Sequence, residues 1–279
     1  MYNLKQANNP NQTIVYNEEW IKSYDNYAKL IYEIDSDIYN NQKRFERDVQ
    51  IVQNVIKKSN IKPISIIDLA CGPGGHSVEL AKLNPEISIL GLDYSNGFLE
   101  IAKNRANQLG NLNNLYFENC DMRNIQLPDN YTNVVAMFGN SFGYFSDKKN
   151  ELAFKEIQRI IKQNGILIMN LTNIDSINYL KPFAEYIVDT PSFGRLVDRR
   201  YKIWDSTTKR SVGRKIHLIQ DGQVLLDQSL SIRVYTQNEL QNLAKKVGFK
   251  NIELLSNIQD NKNENLGLMS DTNWYLFSK

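Results

Sequence analysis

An Asp-Leu-Ala-Cys-Gly-Pro-Gly-Gly run begins at Asp68. It joins a short β-rich apolar stretch, residues 64–69, to a helical pattern that starts at Ser77. A glycine-rich turn between a strand and a helix is where a nucleotide sits in an α/β chain. Gly72 and Gly74 let the backbone turn tightly and approach a ligand without Cβ clashes. Asp68, just before the turn, sets the chemistry. A dinucleotide site has apolar side chains there, because its pyrophosphate sits against the helix N-terminus. A carboxylate suits a cationic or ammonium-bearing ligand instead. Two more acids end the next strands. Asp93 closes Leu90-Gly91-Leu92, at the spacing of a ribose-binding carboxylate. Asp121 and Met122 follow Asn119-Cys120, pairing an acceptor for an adenine amino group with a flexible thioether that covers its ring. One such acid alone is as often a helix cap; three at successive strand ends point to a ligand site.

These residues need strands that end together and helices that return the chain. Trp20, Tyr24, Tyr27, Leu30 and Ile31 recur at spacings of three and four, so the chain opens with a helix. A second helix covers residues 43–58, with Val49, Val52 and Ile56 on one face. Strand patterns at 64–69, 87–92, 114–119, 133–138 and 166–171 then alternate with helical patterns from 77, at 97–108 and at 149–162. This alternation means βαβ units and a mostly parallel sheet. From residue 181 the character changes. Residues 200–204, 213–220 and 224–234 read as antiparallel strands, and Asp221-Gly222 is a hairpin turn. A helix at 237–247 and strands at 251–255 and 274–278 finish the chain.

Composition narrows the chemistry. The 279 residues carry 33 basic and 31 acidic side chains, 2 Cys and 2 His. A formal charge of +2 argues against nucleic-acid binding through overall charge. The Cys and His counts exclude a disulfide scaffold and a Cys/His zinc cluster. Residues 1–13 lack a basic stretch followed by an apolar core, so no secretory leader is expected. The longest apolar run, residues 165–171, is far too short to span a bilayer. A cytoplasmic protein is the expectation.

On the run from Asp68 to Gly74, together with Asp93, Tyr94, Asp121 and Met122, the chain resembles the class I S-adenosylmethionine-dependent methyltransferases. The resemblance covers residues 64–171, more weakly the remainder. It implies an α/β, Rossmann-like, doubly wound seven-stranded sheet whose last strand is antiparallel. It implies S-adenosyl-L-methionine as cofactor, S-adenosyl-L-homocysteine as its product, and no metal. Asp68, Ala70, Gly72 and Gly74 would lie around the methionine part, Asp93 at the ribose, Tyr94 beside the adenine, and Asp121 with Met122 on the base. Met137 ends the fourth strand. Tyr24 and Arg44 come from the N-terminal helices; Arg44, with Arg47 next to consider, matches the basic residue that pairs with the cofactor carboxylate. The expected domains are a helical lid segment (1–60), a cofactor-binding core (61–180 and 236–279) and an antiparallel β insertion on the acceptor side (181–235).

The acceptor is read after the fourth strand, at residues 137–145. The Asn/Asp-Pro-Pro-aromatic run of amino-methylating DNA enzymes is absent. Neither Cys71 nor Cys120 adjoins a proline, as carbon-5 cytosine chemistry requires, and no acid stands there for a catechol-type metal site. Gly139-Asn140-Ser141-Phe142 is similar to the segment in glycine and sarcosine N-methyltransferases. The N-terminal helices and the insertion also resemble those enzymes and the amino-sugar N,N-dimethyltransferases. In the glycine enzymes the residue matching Asn140 binds the acceptor carboxylate with an Arg, and Thr172 takes that Arg's place here; glycine is not the expected acceptor. Tyr144 stands where both groups have His, and would orient the amine or take its proton, although a phenol near pKa 10 is a weak base. His217, in the insertion, is the other acid–base candidate. Tyr144, Asn140 and His217 form the expected catalytic set; His76 reads as structural. The sulfonium already activates the methyl group, so little else is needed. A basic cluster in the insertion (Arg195, Arg199, Arg200, Lys202, Lys209, Arg210, Arg214, Lys215) is in most proteins a solvated strand face; as a functional feature it favours an anionic small-molecule acceptor such as a phosphate-bearing nucleotide sugar. The alternative is an RNA-modifying enzyme, although no aromatic platform accompanies the cluster.

Overall fold

Ile66, Ile67 and Leu69 are all buried in β1 (Ser65–Leu69), so both faces of this strand are covered. That is why its sequence is a continuous apolar run rather than an alternation. The computed structural model describes residues 18, 20–36, 40–110, 112–179, 182–219, 221–255 and 272–279. The polar 1–13 stretch and residue 181, where the insertion is expected to begin, lie outside the described residues.

β1 lies at the centre of a seven-stranded sheet with β2 (Ser88–Asp93), β3 (Leu115–Asn119), β4 (Thr132–Met137), β5 (Ile161–Thr172), β10 (Asn251–Leu254) and β11 (Thr272–Ser278). The order is β10-β11-β5-β4-β1-β2-β3. β11 runs antiparallel to both β5 and β10, and the pairs from β5 to β3 are parallel. This is the doubly wound α/β sheet with an antiparallel last strand. Because β1 neighbours both β2 and β4, the connections leave it in opposite directions, and a crevice opens at the carboxyl ends of β1 and β4.

Helices cover both faces. On one, Val49, Val52 and Val55 of α3 (Gln42–Lys58) pack with Leu80 of α4 (Gly75–Leu83) against Ile66, Val134 and Trp274. On the other, Phe154 and Ile157 of α6 (Asp147–Ile160) and Leu240 of α7 (Gln237–Val247) bury Leu69, Val135 and Phe277. α5 (Asn96–Gln108) begins at Ser95, whose hydroxyl accepts the Phe98 N–H at 3.0 Å. The single N-terminal helix expected from periodicity is two short ones, α1 (Trp20–Asn26) and α2 (Ala28–Ile34), which meet at Tyr27.

The late insertion is a separate antiparallel sheet of four strands in sequential order: β6 (Phe183–Thr190), β7 (Gly194–Asp205), β8 (Arg210–Ile219) and β9 (Val224–Arg233). Three strands are legible in the sequence; β6 is additional. Gly222 has φ +87° and donates its N–H to Ile219 O at 2.9 Å, closing the Asp221-Gly222 hairpin. Two ties bring this sheet to the crevice. The Arg233 N–H donates to Gly143 O at 2.8 Å, and the Arg210 guanidinium donates to Phe145 O. Gly143 has φ +99°, and a Cβ there would collide with the Arg233 backbone. Ala28, Leu30, Ile31 and Ile34 pack with Phe98 of α5, Leu196 of β7 and Leu226 of β9, so the N-terminal helices lie between the two sheets.

Candidate active site

The turn after β1 is drawn together by one carboxylate. Asp93, at the end of β2, accepts the Gly72 N–H at 2.8 Å and the Ser95 N–H at 2.9 Å. Burial raises its pKa against the pull of these backbone donors. Gly72 has φ +54°, and nothing lies within 4 Å of a Cβ built there, so the turn is open on its cavity side. Gly74, with φ +74°, begins α4, and a Cβ on it would strike Ala102; its role is close packing of the turn on α5.

Asp68 is 1% exposed. Its Oδ2 accepts the Ser77 hydroxyl at 2.5 Å, and its buried Oδ1 has no hydrogen-bond partner among the described residues. Burial, reinforced by Asp93 and resisted by Ser77, pushes its pKa up to about 7. A buried acceptor oxygen without a donor carries a large desolvation cost. An ammonium group placed against it would remove that cost and restore the charged form.

Across the crevice, Arg44 of α3 is 5% exposed, and its guanidinium lies beside Gly139 at the end of β4. Its Nε is 3.6 Å from Asp48 Oδ2. The same oxygen lies 3.0 Å from His76 Nε2, and Arg47 donates to Oδ1 at 3.0 Å. Burial opposes the Asp48 charge, but His76, Arg44 and Arg47 outweigh it and hold its pKa below the usual carboxylate range. Burial also lowers the His76 pKa, and the Arg44 and Arg105 charges add to that. A neutral imidazole donating to an ionised Asp48 satisfies both.

At the far end Asp121 is half-buried, and both its oxygens take bonds from Arg123, at 2.6 Å from Nη2 and 2.9 Å from Nε. The Arg123 guanidinium lies 4.3 Å from the Phe145 ring centroid. Glu18, on the N-terminal segment, reaches Arg123 Nη1 at 3.2 Å and Lys149 Nζ at 2.7 Å. This fixes the start of α1 over the crevice. From there Trp20 meets Tyr144 edge-on, centroids 5.1 Å apart, and Tyr24 meets Phe98 at 5.7 Å. Burial drives the pKa of both Tyr144 and Tyr24 well above that of a free phenol.

Gly72, Asp68, Asp93, Arg44, Asp121 and the rings of Trp20, Tyr24 and Tyr144 line one cavity of about 310 Å³. Of the expected residues, Tyr24, Arg44, Asp68, Ala70, Gly72, Asp93, Tyr94, Asp121 and Met122 line it, as do Asn140 and Tyr144. Gly74 and Met137 do not, because Gly74 faces α5 and Met137 is buried in the core beneath the crevice. Asn140 has φ +60°, and its carboxamide oxygen accepts the Thr172 N–H at 2.9 Å, so it ties the ends of β4 and β5 together. His217 stands apart from the cavity. It is 1% exposed and lies 3.2 Å from Asp198, while Asp198 holds Arg200 in front of it. His76 does line the cavity, with its ring stacked on Phe138.

The cavity continues to the inner face of the four-stranded sheet, where Arg200, Tyr201, Lys202, Ser211, Gly213, Lys215, Leu230 and Ile232 line it. Asp35, just past α2, accepts from Arg200 at 2.7 Å and from Lys215 at 2.9 Å. Sequence patterning flagged the basic cluster but not Arg200, Lys202 and Lys215 as its cavity-facing members. Elsewhere the cluster is paired within the protein: Arg199 with Glu185, Arg214 with Asp227, Lys209 with Glu239. Among the described residues, no group of three or more His, Cys, Asp or Glu side chains is placed to hold a metal ion. No helix among them is long and apolar enough to cross a membrane.

Known proteins share this architecture. Residues 66–165 match the family model of a methyltransferase domain. A carboxy-S-adenosyl-L-methionine synthase of Campylobacter jejuni is 25% identical over 229 residues, covering 81% of this chain and 87% of its own length. A crystal structure of an S-adenosylmethionine-dependent methyltransferase from Clostridium acetobutylicum superposes with a TM-score of 0.67 at 15% identity, covering 91% of this chain and 98% of that one. The sugar N-methyltransferase KedS8 from Streptoalloteichus superposes with a TM-score of 0.66 at 15% identity, covering 87% and 92%.

Proposed function

We propose that this chain is a class I S-adenosylmethionine-dependent methyltransferase and transfers a methyl group to the nitrogen of a small, anionic amine acceptor by direct displacement. A hydroxyl in the same place is the alternative acceptor atom. The observation that carries this reading is one continuous cavity. It runs from the Gly72 turn, past Asn140 and Tyr144, to the inner face of the insertion.

The groups at the cavity's first end fit the cofactor. Asp68 Oδ1, buried and without a donor, accepts from the ammonium, and Arg44 pairs with the carboxylate. Asp93 has lone pairs left for the ribose hydroxyls, and Asp121, Met122 and Tyr94 take the base. When bound, the cofactor supplies a sulfonium-activated methyl group. The chain then has to align a neutral lone pair with that methyl and exclude water. Trp20, Tyr24 and Tyr144 do both, since aromatic faces shed water and favour a nearby positive charge. Tyr144 stays protonated, given the direction of its pKa, so it orients the acceptor by a hydrogen bond rather than acting as a base. An amine loses its proton to solvent before or after transfer, and His217 is not required. KedS8, a sugar N-methyltransferase, carries its chemistry on the same fold.

The test is a metabolite-pool assay with methyl-labelled cofactor, followed by mass identification of the product. Label in a small amine is the expected result. Label confined to RNA, or no binding of S-adenosylhomocysteine at millimolar concentration, overturns the reading.

A further inference from the structure

In a β-strand alternate side chains share a face. On β7 the cavity takes Arg200 and Lys202, with Tyr201 between them also at its wall; on β8 it takes Ser211, Gly213 and Lys215. The strand register sets Lys202 opposite Gly213 and Arg200 opposite Lys215. Gly213 is therefore a gap in the side-chain layer, bordered by two lysines and a serine hydroxyl, with Leu230 opposite it on β9.

The three cations differ in what they offer a ligand. Arg200 is 8% exposed, and its guanidinium is committed: Nε donates to Asp198 at 2.5 Å and Nη2 to Asp35 at 2.7 Å. A planar fork for a ligand carboxylate is thus already engaged. Lys215 donates to Asp35 at 2.9 Å, but an ammonium has three donors. Burial and the Lys215 charge bring the Lys202 pKa down to about 8, so a bound anion would favour its charged form. Two ammonium groups and a hydroxyl around a shallow floor suit a tetrahedral oxyanion, whose oxygens point in several directions, better than a flat carboxylate.

We propose that the acceptor carries a phosphate group, and that this group is seated over Gly213 between Lys202 and Lys215, with the Ser211 hydroxyl donating to it. The word acceptor rests on the methyl-transfer reading above; the anion seat itself does not. The seat also serves the chemistry. Fixed positive charge near the acceptor disfavours a protonated amine, and so leaves the lone pair available at the methyl group.

The test uses the full chain loaded with S-adenosylhomocysteine and calorimetry at constant ionic strength, with inorganic pyrophosphate and malonate as probes. Pyrophosphate should bind, and more tightly than malonate. Lys202→Met should weaken pyrophosphate at least tenfold, Lys202→Arg should stay within about threefold, and Ser211→Ala should lose a few-fold. Absent pyrophosphate binding, equal binding to Lys202→Met, or tighter binding of malonate would overturn the seat. Should Lys202→Met fail to fold, Lys202→Arg and Ser211→Ala still decide the matter: unchanged binding in Ser211→Ala together with a malonate preference in wild type refutes it. The S-adenosylhomocysteine titration is separate. Its failure would strike the methyl-transfer reading and leave the pyrophosphate result standing.

Discussion

His76 lies flat on Phe138, with ring centroids 4.1 Å apart and planes 1° from parallel. It turns its Nε2 to Asp48, away from any role as a free base. A histidine in this position titrates with folding rather than with turnover. Its folded pKa is depressed below the unfolded value of about 6.5. The unfolded chain therefore takes the proton first, and stability is lost as pH falls from that value through the folded one. Asp48, also depressed, adds a further loss from about pH 4 downward. His76→Gln keeps a donor for Asp48 but does not titrate. Its melting temperature should fall less steeply between pH 7 and pH 5 than that of the wild type. Parallel slopes in the two proteins would refute this.

Asp93 holds the turn and would hold the ribose. Asp93→Ala removes charge-assisted hydrogen bonds, and the dissociation constant for S-adenosylhomocysteine should rise about tenfold or more. Calorimetry reads it directly, and an unchanged constant would remove Asp93 from the cofactor site.

Asp68 predicts a pH dependence of cofactor binding. Its pKa of about 7 means that the carboxyl gains charge as pH rises from 6 to 8. A cationic ligand binds the charged form, so affinity should rise over that interval. The dependence should vanish in Asp68→Asn, and for an analogue lacking the amino-acid end. Equal slopes for all three would place the ammonium elsewhere.

Glu18 tethers α1 through Arg123 and Lys149. Glu18→Gln removes both ion pairs while keeping the shape. Partly exposed pairs of this kind are individually weak, about 0.2–1 kcal/mol. Product release, followed by stopped-flow displacement, should therefore quicken about two- to fivefold. A release rate indistinguishable from wild type would show that α1 does not gate the cavity.

Tyr144→Phe keeps the ring against Trp20 and loses only the hydroxyl. If that hydroxyl orients the acceptor, kcat should drop about tenfold with cofactor affinity unchanged. The pH profile should keep its shape, because the phenol does not titrate in the working range. A profile that changes shape would give Tyr144 an acid–base role after all.

The end of the cavity around the Gly72 turn was legible because local rules govern it. Asp68, Gly72, Asp93 and Asp121 occupy strand ends and turns, whose positions follow from strand–helix alternation. The same holds for the Asp221-Gly222 hairpin, whereas the antiparallel last strand was expected only from the family resemblance. What escaped depends on which surface meets which. β6 is the edge strand of its sheet, paired with β7, and keeps much of itself exposed, so buried and exposed side chains do not alternate cleanly along it. Which members of the basic cluster face the cavity follows from the docking of the second sheet, which no spacing encodes. Lys202 and Lys215 gained a place in this way, and His217 sits behind Arg200 for the same reason. Gly74 shows a subtler limit. It belongs to the turn's motif, yet its lack of Cβ is used against Ala102 rather than toward a ligand.

Asp35 sits at the end of α2 and is gripped by a cation from each of two strands, Arg200 of β7 and Lys215 of β8. The helices that cover the Gly72 end of the cavity are therefore bolted to the wall of its other end. Lifting one cannot leave the other unmoved. Any occupant that steadies Lys215 should make the cover harder to open, and by linkage the cofactor should return the favour by the same factor. The two ligands would then report on each other's presence although their binding ends never touch.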